Sequence, residues 1–235
     1  MAASCYIGES ACYRVAKDIE DRIEYFISKG MSDQEAELKG VEDFAVECSL
    51  IKVGASEDIQ NCADEGIQIF GGMGFSADTP MESAWRDARI GRIYEGTNEI
   101  NRMLSVGMLL KKGMKGQIDL MAAVMQAASS INNNEEEIKG DELVEEQKLI
   151  YKFKQIFLVL LGNCVQKYGT KLENHQQILL CLSDILIETY FSESGLLRTL
   201  KNIIRSSYEL QKTQKDITKL YIFEAQNTIN KKVIE

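Results

Sequence analysis

Proline ends helices, and this chain of 235 residues holds one, Pro80. Glu, Lys, Leu, Ile and Ala fill long stretches, and the 17 glycines gather at a few points. That distribution predicts helices joined by short connections, in one large domain or two small ones. No segment alternates convincingly enough to be a strand, and no internal repeat is visible.

The first element reads as a helix to about Gly30, with Tyr6, Tyr13, Ile19, Ile23 and Phe26 sharing one broad face. The chain opens already inside that pattern, as a fragment would, so Met1 is not expected to be a natural start. Ser32-Asp33-Gln34-Glu35 has the form of a capping box. A single helix from about Asp33 to Phe70 should follow, about 55 Å long at 1.5 Å per residue. Phe44, Cys48, Ile51, Ala55 and Ile59 would make its stripe, and Gly40, Gly54 and Gly66 would let neighbouring helices come close.

Gly71-Gly72-Met73-Gly74 stops that helix, and a loop runs to Thr79. Thr79-Pro80-Met81-Glu82 resembles a second capping box, opening a short helix to about Ala88. Ile90 to Gly96 reads as irregular, and Thr97 caps a helix reaching about Met114. Gly113 and Gly116 mark a junction. Beyond it come a short helix over 118–130, a polar loop over Asn132–Glu137, and helices over 142–168, 176–191, 195–211 and 216–231. The fold class is therefore all-α: an antiparallel helical bundle over residues 1–116, followed by a second, smaller helical bundle over 117–235.

Several functions are excluded. A formal net charge of -9 argues against nucleic acid, because phosphate neutralisation needs clustered Lys and Arg. Six cysteines without a Cys-x-x-Cys pair, and one histidine, His175, are poor material for a metal site; reduced core thiols are the expectation. No basic segment precedes an apolar run, and stretches such as 156–161 are too short to span a bilayer, so a soluble, cytoplasmic chain is expected. Lys201, Arg205, Lys212, Lys215 and Lys219 could rim a membrane-contacting helix, although a solvated bundle face is the plainer reading.

Three segments carry chemistry. In Gln68-Ile69-Phe70-Gly71-Gly72-Met73-Gly74-Phe75, a glycine turn exposes backbone amides that a phosphate or nucleotide can approach; a glycine helix stop alone needs no ligand. In Trp85-Arg86-Asp87-Ala88-Arg89-Ile90-Gly91-Arg92, Arg86, Arg89 and Arg92 suit an ion-paired helix end that organises the next loop. In Tyr94-Glu95-Gly96-Thr97-Asn98-Glu99-Ile100-Asn101-Arg102, a carboxylate beside a glycine can be aimed into a cleft, or can simply belong to a helix cap.

Taken together, Gln-x-x-Gly-Gly-x-Gly, then Arg-Asp-x-Arg-Ile, then Tyr-Glu-Gly-Thr and Ile-x-Arg resemble the signature of the acyl-CoA dehydrogenases. The match is dense from Cys48 to Lys112 and weaker over 1–47, while the last part resembles the extra helical domain of the very-long-chain branch. The resemblance implies that Glu95 removes the α-proton of a fatty acyl-CoA and that FAD takes the β-hydride, giving a trans-2-enoyl-CoA. An ordinary exposed carboxylate is a feeble base for such a proton, and closing a dry pocket is what raises its basicity. By the same resemblance the Glu95 N–H and the flavin ribityl chain bind the thioester oxygen, and Tyr94 and Gly96 lie against the substrate. The resemblance further implies that Thr97, Asn98 and Glu99 contact FAD, and that Gln68, Ile69, Phe70, Gly71 and Gly72 meet the adenylate of a neighbouring subunit's FAD. Glu99 stands where medium-chain enzymes have glutamine, which favours the very-long-chain branch.

Implied partners are electron-transfer flavoprotein and further copies of the chain, as a dimer or tetramer. The family's N-terminal helical and middle β-domains are not in this sequence, so the chain by itself is expected to be inactive and to expose an apolar face. An acyl-CoA oxidase, or a non-catalytic helical assembly module, are the alternatives; nothing in bundle packing demands a carboxylate at position 95.

Overall fold

The computed structural model describes residues 1–130, 142–203 and 208–234, which form helices and no strand. In chain order these are α1 (Ala2–Ser28), α2 (Asp33–Asp43), α3 (Ala45–Phe70), α4 (Gly72–Phe75), α5 (Pro80–Ile90), α6 (Asn98–Met114), α7 (Leu120–Ser130) and α8 (Val144–Tyr168). A 3₁₀ turn (Gly169–Asn174), α9 (Gln176–Ile203) and α10 (Tyr208–Ile234) complete the chain. The all-α class read from the sequence is the class observed. The expected polar loop over Asn132–Glu137 and Arg205 lie outside the described residues.

The helix expected over 33–70 is two helices. Phe44 leaves helical geometry at φ -109° and ψ 21°. Nothing local to the sequence breaks the chain there. Instead Lys112 of α6 donates to the Asp43 carbonyl, Arg22 of α1 pairs with the Asp43 carboxylate at 3.4 Å, and the Arg22 guanidinium lies 5.9 Å from the Phe44 ring centre. Distant cations stabilise the last carbonyl of α2, as a helix C-terminus favours. Neither expected capping box forms: Ser32 Oγ donates to the Glu35 carboxylate at 2.8 Å, and Thr79 Oγ1 donates to the Met73 carbonyl at 2.6 Å, closing α4. Proline at the first position of α5 is as expected.

Two helices expected over 176–191 and 195–211 are instead continuous across Ser192-Glu193-Ser194-Gly195. Ser194 Oγ returns to the Tyr190 carbonyl at 2.7 Å, so the serine stays inside the helix rather than starting a new one. The buried stripes also differ from the expected ones. On α1 the inward residues are Ile7, Ala11, Val15 and Phe26, while Tyr13 is 70% exposed. On α3 they are Val46, Leu50 and Val53, while Ile59 is 58% exposed. Aromatic and β-branched residues drew those stripes toward faces that the fold leaves open.

One core joins Val106, Phe153, Phe157, Leu161, Leu182, Ile185 and Ile222; the other joins Ile7, Ala11, Leu50, Val53, Ile187 and Phe191. Helix α9 contributes to both. Glycines set its approach: a Cβ on Gly54 would fall 2.5 Å from the Phe191 ring, and one on Gly195 would fall 1.9 Å from Ile7. Gly40 receives Ile23 and Gly66 receives Met81 in the same way, each with 2.5 Å or less to a hypothetical Cβ, as the sequence led us to expect. Helix α3 thus lies against α1, α5, α6 and α9, and it is the support on which the loop between α5 and α6 is built. Among the described residues no helix is long and apolar enough to cross a membrane.

Candidate active site

The loop between α5 and α6 is closed by short bonds at its base: Tyr94 N donates to the Ile90 carbonyl at 3.2 Å and Asn98 N to the Arg92 carbonyl at 3.1 Å. At its tip two successive residues are left-handed, Glu95 at φ 56° and Gly96 at φ 84°. Gly96 cannot be replaced cheaply, since a Cβ there would also fall 2.9 Å from Asn101 Nδ2. For Glu95 the left-handed conformation costs on the order of 1–2 kcal/mol, which the surroundings must hold in place. They do so through carbonyls. Asn101 Nδ2 donates to the carbonyls of Glu95 (3.4 Å), Gly96 (2.9 Å) and Thr97 (3.3 Å), and Lys52 Nζ donates to the Gly96 carbonyl at 2.7 Å. With the carbonyls turned inward, the N–H groups of Glu95, Gly96 and Thr97 find no acceptor among the described residues. The Thr97 side chain accepts from Ile100 N at 3.3 Å and caps α6, as expected.

A cleft of about 230 Å³ lies beside this tip, lined by Lys52, Ser56, Ile59, Gly91, Tyr94 and Glu95 among others. Tyr94, Glu95 and Gly96 are exposed at its rim. Lys52, Ser56 and Glu57 went unnoticed in the sequence. Polar residues at 52 and 56 read as a solvated helix face, and no local signal says that they turn toward a loop forty residues on.

Asn98 is fully buried. Its Nδ2 donates to Ser56 Oγ and Glu57 Oε1, both at 3.0 Å, and its Oδ1 accepts from Lys52 at 2.8 Å. The side chain is thus spent inside the protein, and its backbone N–H is already given to Arg92, so Asn98 acts here as a buried tie between α3 and the loop. Beneath it Arg102 grips Glu57 with two bonds of 2.8 Å and donates to Asp184 of α9 at 2.6 Å. Lys232 reaches the other Asp184 oxygen at 3.3 Å, and Arg92 reaches Glu57 at 3.8 Å. Burial alone would raise the Glu57 carboxyl, but Arg102, Asn98 and Arg92 outweigh it and hold it below its ordinary value. Partial burial lowers the Lys52 ammonium despite Glu95, Glu99 and Glu57 nearby. Of the three arginines read as an ion-paired helix end, Arg86 pairs with Glu82 at 3.3 Å and Arg92 with Glu57, while Arg89 has no ion pair among the described residues.

The glycine segment is elsewhere. Gln68, Ile69, Phe70, Gly71 and Gly72 are all exposed at the far end of α3, and side chains at Gly71 or Gly72 would meet nothing within 4 Å. Gly71 is left-handed at φ 60°. From Lys52 and Ser56 to Gln68 is about 20 Å along the helix at 1.5 Å per residue. The expected site residues therefore fall into two groups: Tyr94 to Glu99 together, and Gln68 to Gly72 apart from them.

Behind the first group lies an acidic layer. Burial pushes the Glu188 carboxyl up from 4.5 to about 7, with Asp58, Asp184 and Glu57 adding to the effect and the Tyr221 hydroxyl opposing it by a hydrogen bond. Burial likewise raises Asp58 to about 6. A raised folded value favours the protonated form, so this part of the stability is complete below about pH 4.5 and is lost as pH rises through 7. For Glu188 alone the change is about 3 kcal/mol. Glu188→Gln is therefore expected to match the parent in urea midpoint near pH 5 and to exceed it near pH 8, by about 1–3 kcal/mol. Equal midpoints at both pH values would dismiss the buried protonated carboxyl.

Comparison with known proteins bears on this geometry. Residues 1–109 and 152–235 each match a sequence model described as acyl-CoA dehydrogenase, C-terminal domain. A probable acyl-CoA dehydrogenase of Bacillus subtilis is 37% identical over 230 residues, covering 97% of this chain and 39% of the relative. Human very long-chain specific acyl-CoA dehydrogenase is 39% identical over 85 residues, 36% of this chain and 12% of that enzyme. The human short-chain specific enzyme is 46% identical over 68 residues, 29% of this chain and 16% of its own length. The crystal structure of an acyl-CoA dehydrogenase complexed with FAD from Bacillus anthracis superposes with a TM-score of 0.90 at 36% identity, covering 99% of this chain and 39% of that one. The chain thus spans about two fifths of the length of the bacterial relatives it matches throughout. By these matches and by its helical fold, the chain belongs to the acyl-CoA dehydrogenase family, whose C-terminal domain it carries.

Proposed function

We propose that this chain is the base-carrying part of a FAD-dependent acyl-CoA dehydrogenase that converts a fatty acyl-CoA to its trans-2-enoyl-CoA in β-oxidation. The observation that carries the reading is Glu95, held left-handed at the rim of the cleft with the neighbouring N–H groups unclaimed. In the mechanism we infer, the Glu95 carboxylate takes the proton from the carbon next to the thioester. The Glu95 N–H, which no group among the described residues claims, donates to the thioester oxygen as negative charge gathers there. Tyr94 and Gly96 lie against the acyl-CoA, and Lys52 and Asn101 fix the loop so that the carboxylate is placed before substrate arrives. Bound FAD supplies the acceptor for the hydride leaving the β-carbon.

The residues present fit a flavin in two places. Half-exposed Thr97 and exposed Glu99 stand at the start of α6, with Asn98 buried between them, and a helix start favours an anionic group. Gln68 to Gly72 offer open backbone about 20 Å away along α3. One flavin at the first place, and the adenylate of another subunit's flavin at the second, would account for the separation, in keeping with a dimer or tetramer that shares its flavin sites. The exposed acid Glu99 and the helices beyond α6 favour the very-long-chain-like branch, and electron-transfer flavoprotein is the acceptor that reading implies. The test is anaerobic mixing of the full-length protein with a saturated long-chain acyl-CoA. Bleaching of the flavin without oxygen consumption in air supports the dehydrogenase. Rapid oxygen consumption makes it an oxidase, and no bleaching with any saturated acyl-CoA overturns the reading.

A further inference from the structure

Cys5 on α1 and Cys62 on α3 face each other with their sulfurs 4.0 Å apart. The helices run in opposite directions at this point. Three residues further along α1, Gly8 lies opposite Asp58, four residues back along α3, and a Cβ on Gly8 would sit 3.7 Å from Asp58 Oδ2. That is an ordinary van der Waals separation, so the two helices lie in direct contact here, and the thiols one turn away fall into register. Cys5 is exposed and Cys62 is half-buried.

We propose that Cys5 and Cys62 form a dithiol modification site, which a small-molecule disulfide converts into a covalent staple between α1 and α3. The sulfurs need to close by about 2 Å to reach the 2.03–2.05 Å of a disulfide, a distance on the scale of side-chain rotation. The exposed Cys5 reacts first: its thiol gives up a proton, the thiolate attacks one sulfur of the small disulfide, and that S–S bond breaks, releasing one small thiolate that is then protonated. Cys62 then loses its proton and attacks the Cys5 sulfur of the mixed disulfide, forming the Cys5–Cys62 bond and releasing the second small thiol. Two protein thiols are oxidised and one small disulfide is reduced to two thiols, so the exchange balances. Burial, with the Cys5 sulfur and Asp58 adding to it, raises the Cys62 thiol, and the second step is therefore the slower one at neutral pH. The staple closes the chain between residues 5 and 62 and fastens α1 to the helix that carries Lys52, Ser56 and Glu57.

The full chain is treated with oxidised glutathione at about pH 8, quenched with acid, digested without reduction and mapped by mass spectrometry. The expected product links the Cys5 and Cys62 peptides with a loss of two hydrogens, and its Tm rises by about 5–10 °C over the reduced chain. Cys5→Ser and Cys62→Ser each abolish both the link and the rise. Phenylarsine oxide, which bridges paired thiols, should give an adduct that a dithiol reverses and a monothiol does not. A glutathione adduct that persists on Cys5 with no linked peptide overturns the proposal. So does failure of phenylarsine oxide to bridge the parent chain, whatever the folding of the variants.

Discussion

Glu95→Gln in the full-length protein is expected to lower the rate of flavin reduction by saturated acyl-CoA about a thousandfold or more, with acyl-CoA affinity changed only a few-fold. The substitution suits the question because glutamine has the size of glutamate and accepts the same left-handed backbone. Asn101 and Lys52 bind the carbonyls of this loop and not the side chain at 95, so the tip should keep its shape. What disappears is the carboxylate proposed to take the proton from carbon. Stopped-flow absorbance of the flavin gives the rate, and titration with a non-reducible acyl-CoA gives the affinity. Bleaching at the parent rate would place the base on another residue while leaving the family membership untouched.

Arg102→Met is expected to be the most damaging single change to the fold, costing about 3–5 kcal/mol. The Arg102 side chain is 15% exposed and satisfies two carboxylates, Glu57 and Asp184, that are themselves 28% and 17% exposed. Burial works against its charge, yet these partners raise its pKa above the ordinary value. Removing it leaves Glu57 to Arg92 at 3.8 Å and Asp184 to Lys232 at 3.3 Å, both weaker arrangements. A chain of this size should lose about 10 °C in Tm. Adding Glu57→Gln to the variant should recover part of the loss, because one stranded charge is gone, and the double-mutant cycle would measure the coupling. A single variant with the parent's Tm would mean that the pair contributes nothing.

How much of this was legible in the sequence depends on whether the cause was local. Thr97 could be named as a helix cap because its hydroxyl acts on an amide three residues away. Glu95 and Gly96 stood out because a carboxylate beside glycine is a local pattern, though the left-handed turn at Glu95 itself was not foreseen. Gly40, Gly54 and Gly66 were readable as close-approach points from their place within a helix. The break at Phe44 was not, since Lys112 and Arg22 cause it from other helices. Lys52, Ser56, Glu57 and Asp184 were missed for the same reason: each is an ordinary polar residue whose role comes from what the fold places opposite. Asn98 shows the limit of motif reading, because its place in the signature pointed to a ligand and its carboxamide points inward.

The glycine contacts around α9 also constrain how such a chain can drift. Phe191 fills the space left by Gly54 on α3, and Ile7 of α1 fills the space left by Gly195, one turn further along the same face of α9. Each vacancy is matched to one bulky neighbour, so a larger residue at 54 becomes tolerable only after 191 has shrunk, and likewise for 195 and 7. Lineages would cross between such pairings through coordinated exchange and not by single steps, and the three-helix junction should change in evolution as a unit or stay as it is.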